Sequence, residues 1–404
     1  MNRKAFEGIK AFGVTYAGTA NMFLRVLGMH GATIVRIESN RIPCVLRISG
    51  PFKDNKPGIN RSEYFAIFNN DLYSLTLDLK HPKAQIVLQK LIEWADIFVE
   101  NFTPGAMERA GLGYENLKRI NPRIIMLSIS QLGQTGPHRL IAGYGPLLQG
   151  LTGHDYLTGW PDCAPVLVDQ SYPDFVAPPY ATIAVLAALH YREKTGKGQY
   201  IDLSNYETCV EWLTPSILDY TVNKRIMGRR GNKVDYACPN NAYRCQGEDA
   251  WCAISVETEE EWRALCYVLG NLSWAADSRF STLAARKENE DELDQLINQW
   301  TMEFTADEVM EKLQKAGVAA GKMLTCEGLY NNPQIEHRKF YRSLNHAEIG
   351  HFPYMAAPYV LSKTPSEIDL PAPLLGEHNE VVCSQLLGMS EEEYVELLLD
   401  NLFE

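Results

Sequence analysis

The chain has 404 residues, 46% of them hydrophobic, enough to build a large core divided among two or three structural units. Its formal net charge of −12 repels polyanions, which argues against nucleic acid or an acidic membrane as a partner. No apolar run approaches the roughly 20 residues that span a bilayer. Met1-Asn-Arg-Lys-Ala-Phe-Glu7 lacks the apolar centre of a signal peptide, so a soluble, cytoplasmic protein is expected. The nine cysteines are scattered; Cys238, Cys245 and Cys252 stand seven apart with no C-x-x-C pair, and the nine histidines form no H-x-x-x-H pair. Free, mostly buried thiols are expected, with neither a disulfide framework nor a metal site.

Residues 8–38 read as strand, helix, strand: Gly8–Val14, Asn21–His30 and Ala32–Glu38, the last a β-branched run suited to a buried parallel strand. That order implies a Rossmann-like sheet. No G-x-G-x-x-G follows the first strand, so a dinucleotide site is not supported, and Gly28 and Gly31 read as turn and helix-end residues. Residues 40–63, with Pro43, Pro51 and Pro57, read as an exposed loop. Next come a strand in the second half of Tyr64–Lys80, a helix Pro82–Ala95, a strand Asp96–Glu100 and a loop with a short helix over Asn101–Tyr114. A helix Tyr114–Ile120, a strand Arg123–Ser130 and a loop Gln131–Pro137 follow. The alternation predicts a doubly wound α/β domain.

Asp174–Glu207 is the stretch that points to chemistry. Ala181–Leu189 is a run of small and aliphatic helix formers, read as a helix buried on most of its surface. Pro178 and Pro179 stand near its start, and Arg192, Lys194 and Gly196 at its end, as proline geometry, the helix dipole and the left-handed cap favour. Asp174 then lies at or just before the helix N-terminus, where backbone N–H groups and the dipole hold a carboxylate ionised. An ordinary N-cap calls for the same residue in the same place.

Past Glu207 the pattern changes to a helical stretch, a basic turn Gly228-Arg-Arg-Gly-Asn232, and a β-hairpin over Pro239–Val256 turning near Gly247-Glu-Asp. An amphipathic helix Glu259–Gly270 points Trp262 and Leu265 inward, and residues 285–318 read as two helices, the second ending at Gly317. From Asn331 the chain reads as extended, through Tyr354–Leu361 and Pro371–Glu380, before C-terminal helices.

The run Asp174–His190, continued by Arg192-Glu-Lys-Thr-Gly-Lys-Gly-Gln-Tyr-Ile-Asp-Leu-Ser-Asn-Tyr-Glu207, resembles the family III CoA-transferases of the formyl-CoA and carnitine (CaiB/BaiF-like) type. Matching blocks span nearly the whole chain: Leu75–Lys80, Asp96–Gly113, Asn121-Pro-Arg123, Ser128–Pro137, Thr195–Gln199 and Pro371–Asn379. The resemblance implies an α/β fold whose Rossmann-like large domain is built from both chain ends (1–210 and 335–404), with a small α+β domain (225–325) and an interlocked dimer. It implies transfer of CoA from an acyl-CoA to an organic carboxylate, with the CoA thioester as co-substrate and no tightly bound cofactor. In that family an aspartate matching Asp174 is the nucleophile. The same likeness puts Arg36, Asn101, Phe102, Thr103, Met107, Gln131, Gly133 and Gln134 on the CoA side, and makes Gly228, Arg229, Arg230 and Gly231 the lid and oxyanion loop. For Arg229 and Arg230 a solvated turn is the competing reading.

Departures cluster on the CoA side. Counting back without gaps from Glu38 sets the relatives' Ala-Gly-Pro on Thr19-Ala20-Asn21. Their Asn-Lys-Arg-Ser becomes Asp71-Leu72-Tyr73-Ser74, Thr103 stands where they carry arginine, and Gln131 where they carry a small residue. The lost positive charge suits a polyphosphate poorly. Two alternatives follow: altered CoA binding, or a non-catalytic or weakly CoA-binding subunit of a heteromer. The related racemases need a histidine where Ala142-Gly143-Tyr144-Gly145 has tyrosine, a poor proton shuttle near neutral pH. Asp174–Pro178 together with Pro239–Trp251 looks like members using succinyl-CoA and an aryl-substituted succinate such as benzylsuccinate. Those members have two subunits, so a homodimer and a heterodimer with a paralogous subunit both stand.

Overall fold

The computed structural model describes residues 4–168 and 171–404. In chain order it runs β1 (Lys10–Val14), α1 (Thr19–Met29), β2 (Thr33–Glu38), α2 (Glu63–Phe68), β3 (Tyr73–Thr76), α3 (Ala84–Trp94), β4 (Ile97–Glu100), α4 (Ala106–Arg109), α5 (Tyr114–Ile120), β5 (Ile125–Ser130), α6 (Gly145–Thr152), α7 (His154–Leu157), α8 (Tyr172–Thr195), β6 (Tyr200–Ser204), α9 (Asn205–Glu211) and α10 (Thr214–Asn223). There follow β7 (Asn240–Arg244), β8 (Trp251–Ser255), α11 (Glu259–Val268), α12 (Leu283–Glu288), α13 (Glu290–Thr301), α14 (Ala306–Lys315), β9 (Ala319–Lys322), α15 (Cys326–Tyr330), α16 (Pro333–His337), β10 (Tyr341–His346), β11 (Gly350–Met355) and α17 (Glu391–Leu399). Two units result: 1–155 with 167–227 and 334–404, and 156–166 with 228–333.

The first unit is a six-stranded sheet in the order β3-β2-β1-β4-β5-β6, parallel at every pairing. Because the side-chain period of a strand is two, Phe12 and Phe98 point to one face, stacked at 4.6 Å, while Ala11, Ile97 and Val99 point to the other. Helices α3 and α5 cover the first face and α1 and α8 the second, which is why these strands read as continuous apolar runs.

Helix α8 departs from expectation. It starts at Tyr172, so Pro178 and Pro179 lie in its interior and withhold the intrahelical N–H donors for the carbonyls of Asp174 and Phe175. It is buried along one stripe only, Ala177, Ala181, Val185 and Ala188, while Ile183 is 65% exposed and Leu186 also faces out. At its end, Gly196 takes the left-handed cap, and a side chain at Gly198 would meet the Ile124 carbonyl at 1.8 Å, which accounts for the Thr-Gly-Lys-Gly-Gln block.

The segment 40–63, expected to be an exposed loop, delivers Arg47 to a buried ion cluster. Glu38 receives Arg36 at 2.8 Å, Arg47 at 2.7 Å and the Ser74 hydroxyl at 2.9 Å, and the Arg47 guanidinium lies 3.6 Å from the centre of the Phe65 ring. Burial alone would raise the Glu38 carboxyl; the two guanidinium groups overrule it and bring it down to about 2. The Pro371–Asn379 block closes this end of the sheet: Gly376 N–H donates to Ser74 Oγ at 3.0 Å, Asn379 Oδ1 accepts Thr76 N–H at 2.9 Å, and β3 is left with no open edge there. Where extended chain was expected after Asn331, the structure has α16 and the hairpin β10–β11.

The second unit is the antiparallel sheet β7-β8-β9, covered on one face by α11, α13 and α14 through Trp262, Leu265, Leu293, Ile297, Val309 and Leu313. Residues 285–318 hold three helices or parts of them, not two. Thr305 and Glu308 form a capping box that starts α14, and Thr258 with Glu261 does the same for α11. Seven cysteines are buried; Cys163 and Cys326 are exposed.

Glu38→Gln leaves two buried guanidinium groups without their counter-charge, and is expected to cost about 3–5 kcal/mol in chemical denaturation at neutral pH. Because the folded Glu38 sits below its unfolded value, the wild-type contribution is full above about pH 4.5 and is lost as the pH falls toward about 2.

Candidate active site

The sheet order reverses between β1 and β4, the switch point at which open α/β sheets generally hold their ligands. Asn101, directly after β4, reaches across it: its side chain accepts from Tyr16 N–H at 2.8 Å and donates to Tyr16 O at 2.5 Å. On the β1 side Ala17, Gly18 and Thr19 lead into α1. Helix α8, packed on α1, brings Asp174 to this turn at the third position of its first turn.

Thr19 Oγ1 donates to Asp174 Oδ1, and Ser171 supplies a second hydrogen bond. A Cβ on Gly18 would stand 2.8 Å from Asp174 Oδ2, so no other residue fits there without displacing the carboxyl. Gly145 lies against Ser171, and the Tyr16 hydroxyl bonds to that of Tyr144. Burial pushes the Asp174 carboxyl above its ordinary value, and the hydrogen bonds from Thr19 and Ser171 only partly offset it. The helix end was expected to favour the ionised form; desolvation here shifts the group the other way, toward the neutral form. Cys209 on α9 is close enough for its thiol, already raised by burial to about 11, to respond to the Asp174 charge.

The residues expected on the CoA side separate into two groups. Asn101, Phe102, Gln131, Gly133 and Gln134 gather at the carboxyl ends of β4 and β5: Gln131 donates to Gly143 O at 3.0 Å and Gln134 N–H to Asp202 at 2.9 Å. Thr103 is exposed beside them. Arg36 and Met107 are instead interior. Arg36 is fully buried against Glu38 and Thr15, with no face open to a ligand, and Met107 belongs to the core under α3. Asp71 also turns inward, accepting the N–H groups of Asp369 and Leu370 at 2.7 and 2.9 Å. Gly228–Gly231 belongs to the second unit, where Arg229 donates to Tyr156 O at 3.0 Å and Arg230 pairs with Asp235 at 3.1 Å.

Gly18, Thr19, Tyr16 and Ser171 were missed by sequence reasoning. The signal was available: the loop after the first strand of a Rossmann-like unit is where a switch-point site begins. The gapless count set the Ala-Gly match on Thr19-Ala20, whereas the glycine that lies against Asp174 is Gly18.

Glu100, at the end of β4, was also missed. Its carboxylate accepts Phe102 N–H at 2.8 Å and Gln134 Nε2 at 3.4 Å, linking the two loops. Beside it a cleft of about 720 Å³ is lined by Gly105, Tyr114, Gln134, Arg139 and Tyr200, among others.

A parallel sheet with this strand order belongs to the doubly wound α/β class, whose members bind ligands at the carboxyl ends of their strands. Residues 6–379 match CoA-transferase family III. The chain is 32% identical over 369 residues to the succinyl-CoA–D-citramalate CoA-transferase of Chloroflexus aurantiacus, spanning 91% of this chain and 90% of that protein. It is 32% identical over 332 residues to the beta subunit of that organism's succinyl-CoA–L-malate CoA-transferase, 80% of each. A solved CaiB/BaiF family protein from Brucella suis matches with a TM-score of 0.87 at 28% identity, over 96% of this chain and 100% of that one. This chain belongs to CoA-transferase family III and is a transferase.

Burial, with the nearby Glu108 and Asp202 charges adding to it, raises Glu100 to about 7. A folded value above the unfolded one means that the folded chain holds this proton between about pH 4.5 and 7, so wild-type stability falls across that window. Glu100→Gln removes the dependence: relative to wild type it is expected to gain on the order of 3 kcal/mol between pH 4.5 and 7.5 in urea unfolding.

Proposed function

We propose that this chain moves CoA from succinyl-CoA to a dicarboxylic acid through covalent intermediates on Asp174. The observation that carries the reading is the Asp174 carboxyl lying against Gly18 and Thr19 at the switch point, in a chain of this family. In its ionised form one oxygen attacks the thioester carbonyl carbon and CoA thiolate leaves, giving a mixed anhydride. The thiolate then attacks the Asp174 carbonyl and expels succinate, leaving an aspartyl-CoA thioester. The acceptor carboxylate repeats the sequence in reverse and restores Asp174. Covalent catalysis divides one exchange between poor partners into steps of comparable height. A half-dry carboxylate, poorly solvated and more basic than usual, suits the attacking role.

CoA is proposed to lie along Asn101, Phe102, Gln131, Gly133 and Gln134, with Thr103 at its margin and the nucleotide toward the cleft by Tyr114 and Arg139. On the family likeness alone, Gly228–Gly231 is proposed as a lid and oxyanion loop. The named relatives take citramalate or malate with succinyl-CoA, which supports a substituted C4 diacid as acceptor. Benzylsuccinate shares that C4 backbone.

A dimer is proposed to cover the outward sides of α8 and α10, where Ile183, Leu186, Ile217, Leu218 and Val222 are exposed together on one unit. The pure chain is expected to sediment at twice 45.6 kDa. The beta-subunit relative and the inward-turned Asp71 favour a second reading, in which the partner is a paralogous subunit.

Hydroxylamine or borohydride added during turnover is expected to trap an adduct at Asp174, and Asp174→Ala to lose at least about 1,000-fold in kcat. Full activity in that variant overturns the reading. A panel of citramalate, malate, glutarate and benzylsuccinate with succinyl-CoA, with and without the paralogue, identifies the acceptor and the assembly.

A further inference from the structure

We propose that Thr19 is a positioning residue for the nucleophile, its hydroxyl tethering Asp174 Oδ1 so that Oδ2 is the oxygen that attacks. The proposal rests on the reading of Asp174 given above and adds to it a residue with an assigned task. Thr19 opens α1 and is 3% exposed, yet its hydroxyl does not cap its own helix; it crosses to the first turn of α8. Oδ2 is left against Gly18, over the notch that a side chain at 18 would fill. The two carboxyl oxygens are thus unlike: Oδ1 accepts the Thr19 hydroxyl and Oδ2 lies against Gly18, while Ser171 gives the carboxyl its second hydrogen bond.

The loop that carries Thr19 is held on both sides. Asn21 Nδ2 donates to Ala17 O at 2.7 Å, Thr15 Oγ1 donates to Asn21 Oδ1 at 2.5 Å, and Asn101 brackets Tyr16. Ala17 stays at φ +60°, a conformation alanine keeps only where its surroundings impose it. A donor anchored in this way fixes the rotamer of a carboxyl whose own helix turn is loosened by Pro178 and Pro179. In the attacking step the bond from Oδ2 to the thioester carbonyl carbon forms and the carbon–sulfur bond breaks, its electron pair leaving on the CoA thiolate. The Thr19 proton remains on its own oxygen throughout. The hydrogen bond also favours the charged carboxylate, opposing the desolvation, with Cys209 the thiol whose ionisation is coupled to it.

The test compares wild type with Thr19→Val, which keeps the shape and removes the donor, Thr19→Ser, which keeps the donor, and Asp174→Asn. Two readouts are taken on the full-length protein: exchange of labelled succinate into succinyl-CoA, which needs no second acid, and the titration of the Asp174 carboxyl by carbon-13 NMR, assigned by its absence in Asp174→Asn. Thr19→Val is expected to lose about 10-fold in kcat with KM within about twofold, and to titrate Asp174 about one unit higher. Thr19→Ser is expected to recover most of both. An unchanged kcat and titration midpoint in Thr19→Val, or a Thr19→Ser no better than Thr19→Val, overturns the proposal while leaving an inactive Asp174→Asn in place. Undiminished exchange by Asp174→Asn overturns the nucleophile reading instead.

Discussion

A carboxyl group taken partly out of water beside a strand-to-helix turn is the constraint around which the first unit is arranged. Left alone in that position Asp174 would simply keep its proton. The surroundings supply two hydrogen bonds to the charged form and a backbone approach that only glycine permits. The balance leaves a group more basic than an ordinary carboxylate, which suits the nucleophilic role proposed for it.

The sheet is what brings these parts together. Its strand order reverses at β1 and β4, so the loops carrying Gly18–Thr19 and Asn101 leave from neighbouring strands and part company. Helix α8 comes from a distant stretch of the chain, yet it packs on α1 through alanines and a valine small enough to allow close approach. That contact decides where Asp174 ends up. The buried Arg36–Glu38–Arg47 cluster stands at the same end of the sheet, and through Ser74 it is bonded to the returning C-terminal segment. The Gly-Glu-His-Asn stretch of that segment is bonded to the edge of the sheet through Ser74 and Thr76.

Charge near the carboxyl ends of the strands is arranged accordingly. Arg36 is consumed by Glu38, Asp71 by the backbone at 369–370, and Glu100, raised to about 7, holds two loops together. The open cation on the nearby cleft is Arg139, with Tyr114 and Tyr200 stacked at 5.6 Å beside it.

Patterns repeated within a few residues were legible in the sequence by itself. The alternating strands β1 to β5, helices α1, α3 and α5 between them, the amphipathic helix α11, and the single carboxylate at the head of an alanine-rich helix all follow from local spacing and from the family likeness. What escaped was decided by residues far apart in the chain. Strand β9, Ala-Ala-Gly-Lys, carries no β-branched signal and exists because β8 offers it an open edge. Arg36 looks like any strand arginine until Glu38, Arg47 and Phe65 enclose it. The shift of Asp174 is the plainest case. A helix terminus, read locally, favours the charged form; the folding of α1 against α8 removes water from the carboxyl, and that desolvation raises it above its ordinary value.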